Sequence, residues 1–183
     1  MNERPIILTA DEVRGVLDGR QTQLRRVKRP PGEVGQRLWC RETWADLASN
    51  RIGDSCAPKL HYRADYGDRL KGFFKWRPSV HMPRWASRLT LEVTNVRVER
   101  LQDISEADAI ASGHELSPCG ACDGGLYRPN DGGPFGPCCP DCMNTGKEIE
   151  PVWEFQEYWD AANPKHPWAS SPWVWVVEFE VVR

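Results

Sequence analysis

The sequence predicts an α+β fold: a β-rich body with flanking helices and one segment that has no hydrophobic period of its own. Three observations carry this. Apolar residues alternate over Leu89, Leu91 and Val93, and again from Trp173 to Val181, as they do in half-buried strands. Helix-start chemistry stands at Thr9, Ser105 and Pro151. Between His114 and Lys147 the chain is dense in Gly, Pro and Cys, which break regular elements.

Pro5 to Leu8 reads as a short strand. Thr9 followed by Glu12 forms a capping box ahead of a helix that carries Val13, Val16 and Leu17, and Gly19 is placed to end it. An Arg-rich segment from Gln21 to Arg29 follows, then the Pro30-Pro31-Gly32 turn and a strand through Arg37–Cys40. Val96 and Val98 alternate on the opposite parity to Leu89–Val93, so the β structure there is expected to break near Asn95. Ser105 caps a short helix that closes at Gly113. Pro151 fits a first helical turn, and Trp153, Phe155, Tyr158 and Trp159 give an aromatic helix through about Ala162. In the last strand Trp173, Trp175, Val177, Phe179 and Val181 share one face, while Glu178 and Glu180 mark the other as partly wet.

At 183 residues with 40% hydrophobic content, the chain suits one compact domain and excludes a fibrous or wholly disordered protein. The longest apolar run, Trp173 to Val177, is far short of the roughly 20 residues that cross a bilayer. With no basic-then-apolar signal pattern at the N-terminus, a cytoplasmic protein without membrane partners is expected. The net charge of −2 hides an asymmetry. Residues 1–100 hold 20 Lys+Arg against 12 Asp+Glu, and residues 101–183 hold 4 against 14. The first half is therefore suited to a polyanion. Its cations are mostly Arg, which grips phosphate with two hydrogen bonds and also stacks on a base.

Of the 7 cysteines, Cys40 and Cys56 stand alone, while Cys119, Cys122, Cys138, Cys139 and Cys142 cluster. Cys119-Gly-Ala-Cys122 and Cys139-Pro-Asp-Cys142 are two C-x-x-C turns separated by 16 residues, the pattern of a tetrahedral structural zinc site. Cys138 is an alternative to Cys139 as a ligand. A closed four-thiolate site leaves no position for a reacting water, so this zinc is expected to order the 114–148 ribbon, which offers a surface for a protein partner.

Three segments mix arginine with aromatic and polar groups: 19–26, 37–44 and 76–85. Aromatic faces hold a ring, guanidinium holds phosphate and polar groups read a base edge, which suits an unpaired base. The candidate binding residues are Arg20, Gln21, Arg25 and Arg26 at an entrance, with Arg41, Glu42, Trp44, Tyr62, His81, Arg84 and Trp85 lining a pocket. A tryptophan in this set is also a natural core residue, and His81 alone is an ordinary hydrogen-bonding residue.

Read in order, the Gly19-Arg-x-Thr-x-x-Arg-Arg26 segment, Arg37-Leu-Trp-x-Arg-Glu-Thr-Trp44, Tyr62-Arg-Ala-Asp65, Trp76 to Trp85, Arg100-Leu-Gln-Asp-Ile-Ser105 and the terminal Trp-Val-Trp-Val-Val-Glu-Phe strand resemble a phage-associated ASCH-domain protein. The resemblance covers nearly everything outside the cysteine segment, giving a single domain over 1–183 with a ribbon inserted at 114–148. It implies a PUA-like β-barrel whose cleft takes single-stranded RNA or DNA, or a modified nucleobase or nucleoside. Some ASCH proteins are acetylcytidine amidohydrolases. Their lysine, threonine and glutamate positions fall here on Gln21, Leu24 and Ser112, with Glu115 a nearby carboxylate. Gln has no titratable group and Leu no hydroxyl, so that chemistry loses its base and nucleophile. Other ASCH proteins resemble ribonucleases, for which Glu42, His61, Asp65 and His81 supply protonatable groups. A zinc-ribbon protein–protein adaptor is the remaining reading.

Overall fold

The computed structural model describes residues 3–46, 60–67, 74–114 and 151–182. The chain divides into two compact units, Met1–Glu99 with Val174–Arg183, and Arg100–Trp173. It is α+β: helices accompany a mixed five-stranded sheet.

In the first unit β1 (Glu3–Ile7) leads into α1 (Ala10–Leu17), whose capping box is formed as the sequence requires: Thr9 accepts from the Glu12 backbone and Glu12 from the Thr9 backbone. Val13 and Val16 are buried, whereas Leu17 is 46% exposed and so lies off the packed stripe. Gly19 ends the helix at φ +74, a conformation that costs other residues a steric penalty. β2 (Gln23–Arg26), β3 (Arg37–Arg41), β6 (Thr90–Arg100) and β7 (Trp173–Val182) complete the sheet in the order β1-β3-β6-β7-β2. β1 runs parallel to β3, with Ile7 opposite Arg41, and β2 is antiparallel to β7. A separate ribbon pairs β4 (Trp44–Asp46) with β5 (Leu60–Tyr62), followed by α2 (Arg63–Tyr66). Both sheets are open among the described residues, so these residues contain no closed barrel.

The core gathers Ile6, Leu8, Val13, Val16, Leu24, Leu38, Leu91, Val93, Val177 and Phe179 between α1 and one sheet face. Two sequence expectations are corrected. β6 does not break near Asn95: it continues to Arg100, and the alternation lapses because Thr94 and Asn95 are both exposed. In β7 Val174 and Val176, on the face expected to be partly wet, are buried, so that face becomes accessible only from Glu178; on the other face Trp175 is half-buried and Val177 and Phe179 are buried.

In the second unit α3 (Glu106–Ala111) is capped by Ser105, which accepts from the Asp108 backbone, and it packs on α4 (Pro151–Ala162). Phe155 and Trp159 are buried there, while Trp153 is half exposed. The cysteine segment from 115 to 150, with Glu115 and all four expected zinc ligands, lies outside the described residues. No described helix is long and apolar enough to cross a membrane.

Candidate functional site

The site grows from the end of β3. Leu8 donates its backbone N–H to the Arg41 carbonyl at 3.0 Å, which fixes where the strand stops and the β4–β5 ribbon begins. On that ribbon Trp44 stands opposite Tyr62 and Ala45 opposite His61. The two-residue period therefore puts Trp44, Tyr62 and Leu60 on one face, where they pack with Met82 and Ala86. His61 takes the other face, stacked on Phe74 at 4.6 Å between centroids and hydrogen-bonded to the Tyr66 hydroxyl through Nδ1 at 3.0 Å. Residues 74–88 supply the remaining wall. Arg77 is joined to Trp44 by backbone hydrogen bonds in both directions, 2.8 and 3.2 Å, and the single turns Ser79–His81 and Arg84–Ala86 each follow a proline.

At the centre Glu42 is 3% exposed. Arg88 grips it with a two-pronged pair: Nε donates to Oε1 at 2.8 Å and Nη2 to Oε2 at 3.0 Å. The same guanidinium reaches Asp65 at 2.8 Å and lies 4.1 Å above the Tyr62 ring. Tyr62 donates its hydroxyl to the Ala86 carbonyl at 2.9 Å, so the ring cannot tilt away. Burial pushes the Glu42 carboxyl above the ordinary carboxylate range, against the downward pull of Arg88. Burial likewise raises the Tyr62 phenol.

Toward solvent, Trp85 is 63% exposed while Trp44 beneath it is 2% exposed. The two indoles meet edge to face at 5.9 Å and 86°. Arg77 stacks over Trp44 at 5.0 Å, and Arg41 lies 4.6 Å over Trp39 while donating to the Val80 carbonyl at 3.3 Å. The indole nitrogens of Trp44 and Trp76, Arg41 Nε and His61 Nε2 are buried without a hydrogen-bond partner. These atoms lie on both faces of the ribbon, Trp44 on one and His61 on the other, so they do not define a single ligand position.

The chain matches no family model, no curated protein and no solved structure. The site is therefore read from its own geometry.

Of the residues expected from sequence, Arg41, Glu42, Trp44, Tyr62 and Trp85 come together around the ribbon. His81 is exposed on the neighbouring turn, and Arg84 is tied to Glu3 at 2.6 Å. The four expected at an entrance have other surroundings. Arg20 is exposed beside Asp18 at 2.9 Å. Gln21 is buried and donates to the Gln23 carbonyl at 3.1 Å. Arg25 is not at a rim: its side chain is 1% exposed and pairs with Glu99 at 2.8 Å, because the inward position on β2 demands a partner for its charge. Arg26 pairs with Glu12, the capping-box glutamate, at 2.7 Å.

Arg88, Arg77 and Phe74 were not singled out by sequence. A signal for Arg88 existed: a glutamate directly after a buried strand needs a nearby cation, and Arg88 immediately precedes the Leu89–Val93 alternation. At the amidohydrolase positions Leu24 is core, and Ser112 donates its hydroxyl to the Asp108 carbonyl at 2.8 Å. Among the described residues no group of three or more His, Cys, Asp or Glu is arranged to hold a metal.

Proposed function

We propose that this chain is a PUA-like ASCH domain that binds a base of single-stranded nucleic acid, or a nucleobase, on the exposed Trp85 ring, which buried Trp44 braces, with Arg77 and Arg41 on the surrounding elements. The observation that carries the reading is Trp85: a large apolar ring left mostly in water yet braced edge-on by a buried tryptophan. Such a ring offers a stacking face whose ordering cost is already met, and arginines around it complement phosphate. Glu42, 3% exposed with both oxygens accepting from Arg88, is the buried partner of that arginine and does not meet the base.

Binding proceeds without deacetylation. Gln21, Leu24 and Ser112 supply neither a base nor a positioned nucleophile. Glu42 is also poorly suited to remove a proton in ribonuclease chemistry, because both its oxygens already accept from Arg88. A structural zinc on Cys119, Cys122, Cys139 and Cys142 belongs to the same reading and rests on the spacing of those residues.

The test is a fluorescence titration with a labelled single-stranded oligonucleotide. Trp85→Ala is expected to weaken binding by about tenfold, the usual worth of one base–aromatic stack. Unchanged affinity in a folded Trp85→Ala variant would remove the carrying observation.

A further inference from the structure

On the other end of the β1–β3 pair, away from Arg41, the turn after β2 borders an open cavity of about 400 Å³ lined by Arg4, Arg29, Glu33, Gln36 and the Pro30-Pro31-Gly32 turn. We propose that this cavity is an oxyanion site that takes the phosphate group of a phosphate ester. The proposal does not depend on the aromatic face binding a base.

The lining supplies donors in excess of acceptors. The Arg4 backbone belongs to the β1–β3 ladder, opposite Leu38, but its side chain makes no hydrogen bond or ion pair with any described residue, whereas that of its neighbour Glu3 is paired with Arg84. Arg29 lies over the Trp175 ring at 5.2 Å, an arrangement that holds a guanidinium plane while leaving its edge donors available. Its nearest carboxylate, Glu33, is 3.7 Å away, beyond hydrogen-bonding distance, and the two side chains are 63% and 73% exposed, so this pair holds Arg29 only weakly. The Gln36 amide oxygen accepts from the Glu33 backbone at 3.3 Å, which leaves the amide nitrogen as its remaining donor. Two guanidinium groups and an amide against one carboxylate suit an anion. A planar fork matched to paired oxygens favours phosphate over a halide.

The turn is built to keep this shape. Gly35 donates to the Val93 carbonyl at 2.8 Å, Val93 donates back to Gln36 at 3.0 Å, and Gln36 donates to Glu33 at 2.9 Å. Two prolines fix their own φ, and Gly32 at φ +145 presses on the core, where an added Cβ would come within 3.0 Å of Leu38 Cδ2. Arg29 and Gln36 are thus carried on a turn whose backbone is pinned to β6, and Arg4 on strand β1, so the backbone beneath the donors is already ordered when a ligand arrives. The volume lies in the range of small-molecule sites, roughly 300–1,000 Å³, and leaves room for the sugar or alcohol of an ester beside its phosphate.

The test is an NMR titration at constant ionic strength, following the Arg side-chain Nε–H signals and the Trp175 indole. The probes are inorganic phosphate, a nucleoside 5′-monophosphate and the same nucleoside without phosphate. The monophosphate is expected to give a saturable shift at Arg29 and Trp175, at least tenfold tighter than the nucleoside, and Arg4→Gln with Arg29→Gln to abolish it while the circular dichroism spectrum is retained. The double Arg→Lys variant keeps charge without the fork and is expected to bind more weakly than wild type. Inorganic phosphate binding as tightly as the ester would identify the free ion as the occupant. No saturable shift with either phosphate probe, equal shifts from the bare nucleoside, or binding that survives the Gln variants would overturn the proposal. Failure here leaves the Trp85 titration unaffected, so the two readings fail separately.

Discussion

Glu42 carries the largest single demand in the candidate site, because a carboxylate at 3% exposure is tolerable only with a cation locked on it. Replacing Arg88 with Met leaves that charge unpaired and is expected to cost about 2–4 kcal/mol in urea denaturation at neutral pH. The pH dependence follows from the direction of the Glu42 shift. Its carboxyl is raised in the folded chain, so the folded state holds that proton more tightly than the unfolded state. Stability therefore falls as pH rises from the ordinary carboxylate range through the raised value. Glu42→Gln should flatten that segment of the profile, and Arg88→Met should be less damaging in acid, where Glu42 is protonated. A profile unchanged by Glu42→Gln would mean another group sets the slope. Among single residues the sequence named Glu42, Trp44 and Tyr62 as pocket candidates, and the β4–β5 pairing sets Trp44 opposite Tyr62. The sequence hid which arginine serves Glu42, since that choice is made by a contact across 46 positions of chain.

Elements were more legible, and the reason is local chemistry. Thr9 and Glu12 announce α1 within three residues, and the structure forms both hydrogen bonds. Glu12 has a second duty that no local pattern reveals: both its oxygens accept from Arg26 at 2.7 and 2.9 Å. Thr9→Ala is therefore expected to cost about 1 kcal/mol as a lost cap, and Glu12→Ala about 2 kcal/mol or more because Arg26 loses its acid as well. Comparable losses from the two substitutions, measured by chemical denaturation, would show that the Arg26 pair contributes nothing. In the second unit His114 packs against Phe155 at 5.3 Å and Tyr158 at 5.1 Å, and burial depresses its pKa to about 4. A histidine kept neutral by folding contributes stability that is full above its ordinary value and is lost as pH falls toward 4. Acid loosening of α4, followed by the near-ultraviolet signal of its aromatics, should move to lower pH in His114→Phe. What sequence missed in the strands was continuity: alternation alone cannot distinguish a break near Asn95 from one long strand with two exposed residues in succession.

At the scale of the molecule, the charge asymmetry between halves remains the broadest clue, and the structure refines how it is used. Many of the arginines in the first half are committed inside it: Arg25 to Glu99, Arg26 to Glu12, Arg88 to Glu42 and Arg97 to Glu99. Composition counts these cations as available to a partner, whereas folding neutralises them, which is why the charge count could not mark the binding face. The helix–strand class was legible because periodicity is local. The closure of a barrel was not, since it depends on pairing between distant edges. For the cysteine segment, elemental analysis is expected to give about one zinc per chain, falling in Cys119→Ser with Cys142→Ser. Protein purified without chelators and free of zinc would contradict that assignment.

The measurement that reaches the central claim most directly is the salt dependence of single-strand binding, compared between wild type and Trp85→Ala. Arginine–phosphate contacts release counterions, each adding roughly −0.7 to the log–log slope on single strands. The account predicts a slope of about −1.4 or steeper for wild type, weaker binding to duplex of the same sequence, and a Trp85→Ala line displaced to lower affinity with its slope unchanged, because stacking and charge act separately. A slope near zero, or a Trp85→Ala line lying on that of the wild type, would contradict it.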